Sequence, residues 1–155
     1  MTGEYREARR QERLARARGQ AALRALVALG VGQREIAEDL GVSQPAVSQQ
    51  LRTAAKLGAA PAEFALEAAA PILKGLAADR GFTDLAVFGS VARQESHEDS
   101  DIDLLVRQPA GTTIADMTRL KDLFEHILGK KVDLITYGAL KPIMDADIER
   151  EAVRL

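Results

Sequence analysis

The spacing of apolar residues changes character along this chain. From Ala21 onward Leu23, Leu26 and Val27 recur at helical spacing, and Gly30 to Gly32 interrupts the pattern. Between Gln33 and Arg52, Ile36, Ala37 and Leu40 share one helical face. Gly41 breaks that helix, and Ser43 caps a second whose inner face carries Val47 and Leu51 one turn apart. Pro45 falls in the first turn of the second helix, where its missing N–H costs little. Thr53 to Ala70 is alanine-rich and punctuated by Pro61 and Pro71, a pattern that predicts a helical linker rather than a core element. Ile72 to Asp79 reads as a short amphipathic helix ended by Gly81.

Beyond Gly81 the period shortens. Leu85 to Phe88, Asp101 to Val106 and Lys131 to Thr136 are short apolar runs, each the length of a buried strand. Thr113 caps a helix of roughly 15 residues between the last two, and another helix follows Leu140. Strands interleaved with helices predict a small mixed-sheet domain of α/β or α+β class behind an all-helical N-terminal domain. The expected division is an N-terminal helical domain over 1–58, a linker over 59–70 and the sheet domain over 71–155.

Composition adds a compartment and a charge asymmetry. The chain has 155 residues, 46% hydrophobic and 28% charged, with no cysteine. Disulfides and thiolate metal sites are excluded, and the cytoplasm is the expected location. No apolar run approaches the roughly 20 residues of a membrane span, and the opening MTGEYREARRQER is unlike a secretion signal. Met1 to Gly58 holds ten Arg and Lys against six Asp and Glu; Ala59 to Leu155 holds eleven against seventeen. The first part is suited to a polyanion and the second to cations. Arg6, Arg9, Arg10, Arg13, Arg16 and Arg18 concentrate the positive charge in a basic arm, either frayed or continuous with the next helix.

The turn from Leu40 to Ser43 sets two helices at a steep angle, with Ala37 small where they approach. Gln44, Ser48, Gln49 and Arg52 then point away from the packed face. Gln can pair bidentately with adenine, and Arg reaches guanine or phosphate. Over this segment the sequence resembles the helix-turn-helix of bacterial repressors of the Xre type, with Ala37, Gly41 and Val47 at the matching places. The resemblance implies binding to an operator through Ser43, Gln44, Ser48, Gln49 and Arg52, by a homodimer or a hetero-complex. The competing reading is a plain helical hairpin packed on the second domain.

The densest chemistry lies in FGSVARQESHEDSDIDLLV, Phe88 to Val106. Asp101 and Asp103 are two apart, so a strand presents both on one face, with Ile102 and Leu104 on the other. Asp133 interrupts the apolar VDLI in the same way. Carboxylates gathered on adjacent strands repel one another unless cations sit among them. Mg²⁺ suits oxygen ligands, and two such ions about 3.5–4 Å apart can clamp a phosphoryl displacement. Gly89-Ser90 follows one strand and opens a helix, so backbone N–H groups and the Ser90 hydroxyl can face an anion. Arg93 either contacts a phosphate or pairs with Glu95 or Asp99.

Gly-Ser, ten residues, then Asp-Ile-Asp resembles the signature of the polymerase-β-like nucleotidyltransferases, and the segment from about Ile72 to Leu155 resembles their minimal nucleotidyltransferase (MNT) branch. The closing LKPIMDADIEREAVRL is similar to the terminal helix of that branch. Gln94 departs from it, since glycine commonly follows Ala-Arg there. The resemblance implies metal-dependent transfer of a nucleoside monophosphate, AMP from ATP, to a hydroxyl acceptor. Asp101, Asp103 and Asp133 would be catalytic and hold two Mg²⁺ ions, while Gly89, Ser90 and Arg93 would bind the nucleoside triphosphate. Proteins of this branch are commonly encoded beside a HEPN-type toxin that they silence by adenylylating a tyrosine. A protein acceptor and an autoregulatory antitoxin are therefore the implied setting. Typical members lack an added DNA-binding domain, so a stand-alone enzyme that modifies itself, at Tyr5 or Tyr137, is also open. The alternative class is a DNA-binding regulator whose transferase-like domain only senses nucleotide or partner. His97 and His126 are expected at the surface.

Overall fold

The computed structural model describes residues 1–155. The N-terminal half is helical: α1 (Thr2–Ala28), α2 (Gln33–Leu40), α3 (Gln44–Ala54), a 3₁₀ segment (Ala55–Ala59) and α4 (Ala62–Ala78). The arginine-rich arm is the first part of α1, continuous with the helix that Leu23 and Leu26 predicted. Gly41, in the left-handed region at φ 66°, ends α2, and the Ser43 hydroxyl accepts the Ala46 N–H to start α3. Leu23, Ile36, Ala37 and Val47 form a small core among these three helices.

The second half contains β1 (Thr83–Phe88), a single turn α5 (Gly89–Ala92), β2 (Ile102–Arg107), α6 (Ile114–Leu128), β3 (Val132–Thr136), α7 (Ala146–Glu151) and β4 (Val153–Arg154). The sheet order is β3-β2-β1-β4. β1 is antiparallel to both neighbours, and β2 runs parallel to β3 because α6 carries the chain back across. Thr113 and Asp116 cap α6 reciprocally, each side chain accepting the other's backbone N–H.

The alanine-rich segment, expected as a linker, is no linker. From Ala62 onward it forms α4 together with the stretch read as a separate short helix, and α4 runs through Pro71, which faces solvent. Ala62, Ala65, Leu66, Ala68, Ala69, Leu73 and Ala77 are buried in the main core with Leu14, Ala17, Ala21 and Ala25 of α1. Small side chains let α1 and α4 approach closely, so alanine is here a packing residue as much as a helix former.

The same core continues into Leu85, Val87, Ile102, Leu104, Val106 and the buried face of α6. The expected boundary near residue 58 is therefore not a break in packing. α1 serves two cores, one face toward α2 and α3 and the other toward α4 and α6. The seam is tight. Arg24 donates from Nε to the carbonyls of His126 and Ile127, both at 2.9 Å, at the end of α6. Lys130 Nζ donates to the Gly58 carbonyl at 2.9 Å, and a Cβ on Gly58 would stand 2.9 Å from the Gly129 carbonyl oxygen.

Candidate active site

The sheet has two faces with different duties. Ile102, Leu104, Val106 and Val132 point into the main core. Ala86, Phe88 and Leu105 belong to a second cluster, covered by Ile135, Tyr137, Leu140, Ile148 and Ala152. Period-two alternation puts Asp103 and Asp133 on that second face, at the end the C-terminal segment leaves open. Asp103 and Asp133 are register partners across the parallel β2–β3 pair, and Asp103 also pairs with Phe88 at the end of β1. Asp101 precedes β2 and is exposed, Asp103 is half-buried and Asp133 is exposed.

Gly89 follows Phe88 at φ 70°, in the left-handed region. It is glycine for two reasons. A side chain would resist that conformation, and a Cβ there would overlap the Asp103 carboxylate. Close approach of the Gly89 backbone to Asp103 joins the Gly-Ser turn to the carboxylates. The turn then closes at Gln94, also left-handed at φ 57°. The departure at Gln94 thus keeps the turn's backbone shape at a conformational cost. Ser96 ties the loop beyond Gln94 to the helical half. Its backbone N–H and its hydroxyl both donate to Glu63 of α4, which pulls the Glu63 pKa down.

Asp103 is held above the usual carboxylate range, first by burial and then by the charges of Asp133 and Asp101, with Glu151 adding to them. Arg93 opposes this only partly. The three expected metal ligands are thus a set of mutually repelling oxygens at one sheet end. That donor chemistry fits a hard divalent cation, which would relieve the repulsion. As placed, no three ligating groups converge closely enough to enclose one ion.

Arg93 pairs with Glu95, as one alternative held, at Nε–Oε2 3.2 Å. It does not pair with Asp99. Its second partner is Glu151 of α7, contacted by the Arg93 guanidinium at 3.0 and 3.2 Å. The Gly89 N–H donates to the same Glu151 carboxylate at 3.0 Å. Sequence reasoning missed Glu151. It lies 62 residues from Gly89, and an acidic residue in a polar terminal helix carries no local signature. Tyr137 is half-buried with its hydroxyl donating to the Asp84 carbonyl at 2.9 Å, whereas Tyr5 is exposed on α1.

In the N-terminal part, Gln44, Gln49 and Arg52 are exposed on α3, and Ser48 is half-buried. Gln44 is steadied by donating from Nε2 to Gln33 Oε1 at 2.8 Å. His97 and His126 are exposed.

Known proteins resemble this chain over its sheet domain. The nucleotidyltransferase domain family model covers residues 72–155, from the middle of α4 to the C-terminus. A Methanocaldococcus jannaschii protein provisionally named a protein adenylyltransferase is 44% identical over 73 residues, 47% of this chain and 78% of its own length. The protein adenylyltransferase MntA of Thermococcus cleftensis is 36% identical over 73 residues, 47% of this chain and 74% of its own. A solved structure described provisionally as a minimal nucleotidyltransferase superposes with a TM-score of 0.56 at 41% identity, covering 60% of this chain and 95% of that one. The chain belongs to the nucleotidyltransferase domain family, in its minimal form, and is a nucleotidyltransferase. That family typically uses a nucleoside triphosphate and a divalent metal. No helix of the chain is long and apolar enough to cross a membrane.

Proposed function

We propose that this chain transfers AMP from ATP to a hydroxyl of a protein acceptor, at the site formed by Asp101, Asp103 and Asp133 beside Gly89-Ser90. The observation that carries the reading is the register pairing of Asp103 with Asp133 while Gly89 packs against the Asp103 carboxylate. Gly89, Ser90 and Arg93 would receive the triphosphate. Two Mg²⁺ ions, held by Asp101, Asp103 and Asp133, would supply charge neutralisation at the reacting phosphate. The acceptor oxygen bonds to the α-phosphorus as the bond to the bridging oxygen breaks. Pyrophosphate leaves with that electron pair, and the acceptor proton passes to Asp133. The open sheet end suits an extended protein segment better than an enclosed small molecule.

The relatives' names support a protein acceptor; the acceptor we favour, from the MNT resemblance alone, is a tyrosine of a partner protein such as a HEPN-type toxin. Tyr137 is a poor target for self-modification because its hydroxyl is engaged; Tyr5 is the accessible one. Intact-mass spectrometry of the chain and any co-purifying partner, after incubation with ATP and Mg²⁺, tests this. Adenylate on a partner tyrosine, absent with Asp103→Ala, supports the reading. Transfer only to a small molecule or nucleic-acid end overturns it.

A second reading is favoured by α2 and α3, whose short turn leaves Gln44, Gln49 and Arg52 exposed. In it the N-terminal helices form an Xre-like helix-turn-helix that binds an operator as a homodimer or hetero-complex, with half-sites about 34–36 Å apart. The two readings combine in an autoregulating antitoxin; alone, the second makes the transferase domain a nucleotide or partner sensor. Retardation of the chain's own promoter fragment, weakened by added salt and by Arg52→Ala, supports DNA binding. No retardation at low salt, with or without a partner, counts against it.

A further inference from the structure

Two donors assigned above to the triphosphate, the Gly89 N–H and the Arg93 guanidinium, already hold an anion. It is the Glu151 carboxylate, at 3.0 Å from Gly89 N and at 3.0 and 3.2 Å from Arg93. The other charged groups around it favour its departure. Glu151 adds to the repulsion felt by Asp103, which also faces Asp101 and Asp133. Arg93 is the cation that offsets them, and it is shared with Glu95.

Glu151 is also tethered in place. It ends α7, and the chain then enters β4, where Val153 pairs with Val87 and the Leu155 N–H donates to the Leu85 carbonyl at 3.1 Å. A carboxylate held on a folded segment is presented at high effective concentration. A phosphate oxygen arriving at Gly89 and Arg93 meets an occupied position.

We propose that Glu151 is a specificity-determining residue for the nucleotide donor: its carboxylate stands in the phosphate position at Gly89 and Arg93, and the donor must displace it. A triphosphate brings enough charge and enough oxygens to exchange one carboxylate for several contacts; a monophosphate or a bare nucleoside does not. After transfer, return of Glu151 to Arg93 helps expel pyrophosphate. Glu151 acts through Arg93 and the Gly89 amide, so it sets donor affinity and selectivity rather than touching the reacting atoms.

The inference rests on the reading of Gly89 and Arg93 as triphosphate ligands, and the test separates the two. Equilibrium binding of ATP, inorganic tripolyphosphate and adenosine to the full chain with Mg²⁺ is compared among wild type, Glu151→Gln, Glu151→Ala and Arg93→Ala. Glu151→Gln keeps the size of the side chain and an acceptor for the Gly89 N–H while removing the charge. It should bind ATP and tripolyphosphate about five-fold more tightly, the scale of one partly exposed ion pair. KM for ATP should fall in parallel, and adenosine binding should stay unchanged. A merely structural role for Glu151 would weaken all three ligands together. Tripolyphosphate affinity equal to or below wild type in both Glu151 variants, with Arg93→Ala still impaired, overturns the proposal alone. Tripolyphosphate binding insensitive to Arg93→Ala overturns the underlying site reading and the proposal with it.

Discussion

Asp84 and Asp103 lie on neighbouring strands of one sheet, near opposite ends of the same antiparallel pair, and they are treated in opposite ways. Asp84 accepts from Arg107 Nε at 2.8 Å and pairs with Arg154 at 3.2 Å. Those partners, Arg107 first, hold its carboxyl below the usual range. Arg107 in turn stacks over the Tyr137 ring, 4.9 Å from its centroid. Asp103 has no such partner and is pushed up by burial and by its fellow carboxylates. The same residue type is stabilising at one end and strained at the other. Unrelieved charge marks the end prepared for a ligand, because a folded protein keeps such a cost where binding repays it.

The strongest way to break this comparison is Asp103→Asn. Transfer should fall about 10²–10³-fold, as on loss of one essential electrostatic contact. The cation-free protein should nonetheless melt at a higher temperature than wild type. The sign comes from the raised pKa: the proton Asp103 holds in the folded state stabilises only at acid pH. That contribution is lost as pH rises through the ordinary aspartate value to the folded one, so at neutral pH the ionised group is a net cost. A lower melting temperature for the variant would show that Asp103 is not under strain.

Gly89→Ala tests the join between turn and carboxylate. Left-handed φ and overlap with Asp103 should together lower stability by about 2–3 kcal/mol and remove activity. Denaturant unfolding with unchanged stability would refute the packing argument.

At the other end, Asp84→Asn should lower the melting temperature modestly while leaving transfer intact, the converse of Asp103→Asn. Its pH dependence is also opposite. The depressed Asp84 contributes stability above its unfolded pKa, and that contribution disappears as pH falls through the folded value. Melting curves of wild type and variant should converge in acid; curves that stay parallel would deny Asp84 its ion pairs.

The smallest effect concerns the two non-glycine residues with left-handed backbone, Asp84 at φ 54° and Gln94 at φ 57°. Only Asp84 is compensated by ion pairs to its side chain from neighbouring strands. Gln94→Gly should therefore stabilise by about 0.5–1 kcal/mol, with activity unchanged. A destabilised variant would mean that the Gln94 side chain contributes to the loop.

Much of the candidate site was legible in the order of residues. Asp-Ile-Asp alternates with apolar neighbours, Asp133 interrupts an apolar run, and Gly-Ser precedes Asp101 by a fixed interval. The first two are local patterns that arise from the period of a strand, whereas the Gly-Ser interval had meaning only through the family resemblance. The turn from Gly41 to Ser43 and the cap at Thr113 were readable because the reach of a cap is local too.

Tertiary structure alone decided the rest. That Asp103 faces Asp133, that Asp84 meets Arg107 and Arg154, and that Glu151 lies on Gly89 and Arg93 depend on pairings between distant positions. A charged side chain looks the same in sequence whether water or an opposite charge is its partner. Alanine misled in a related way. In α4 it suits an exposed linker and a close-packed helix equally, because it is small, apolar and a good helix former. Only the approach of α1 against it showed which, since burial belongs to the pair of surfaces and not to either segment alone.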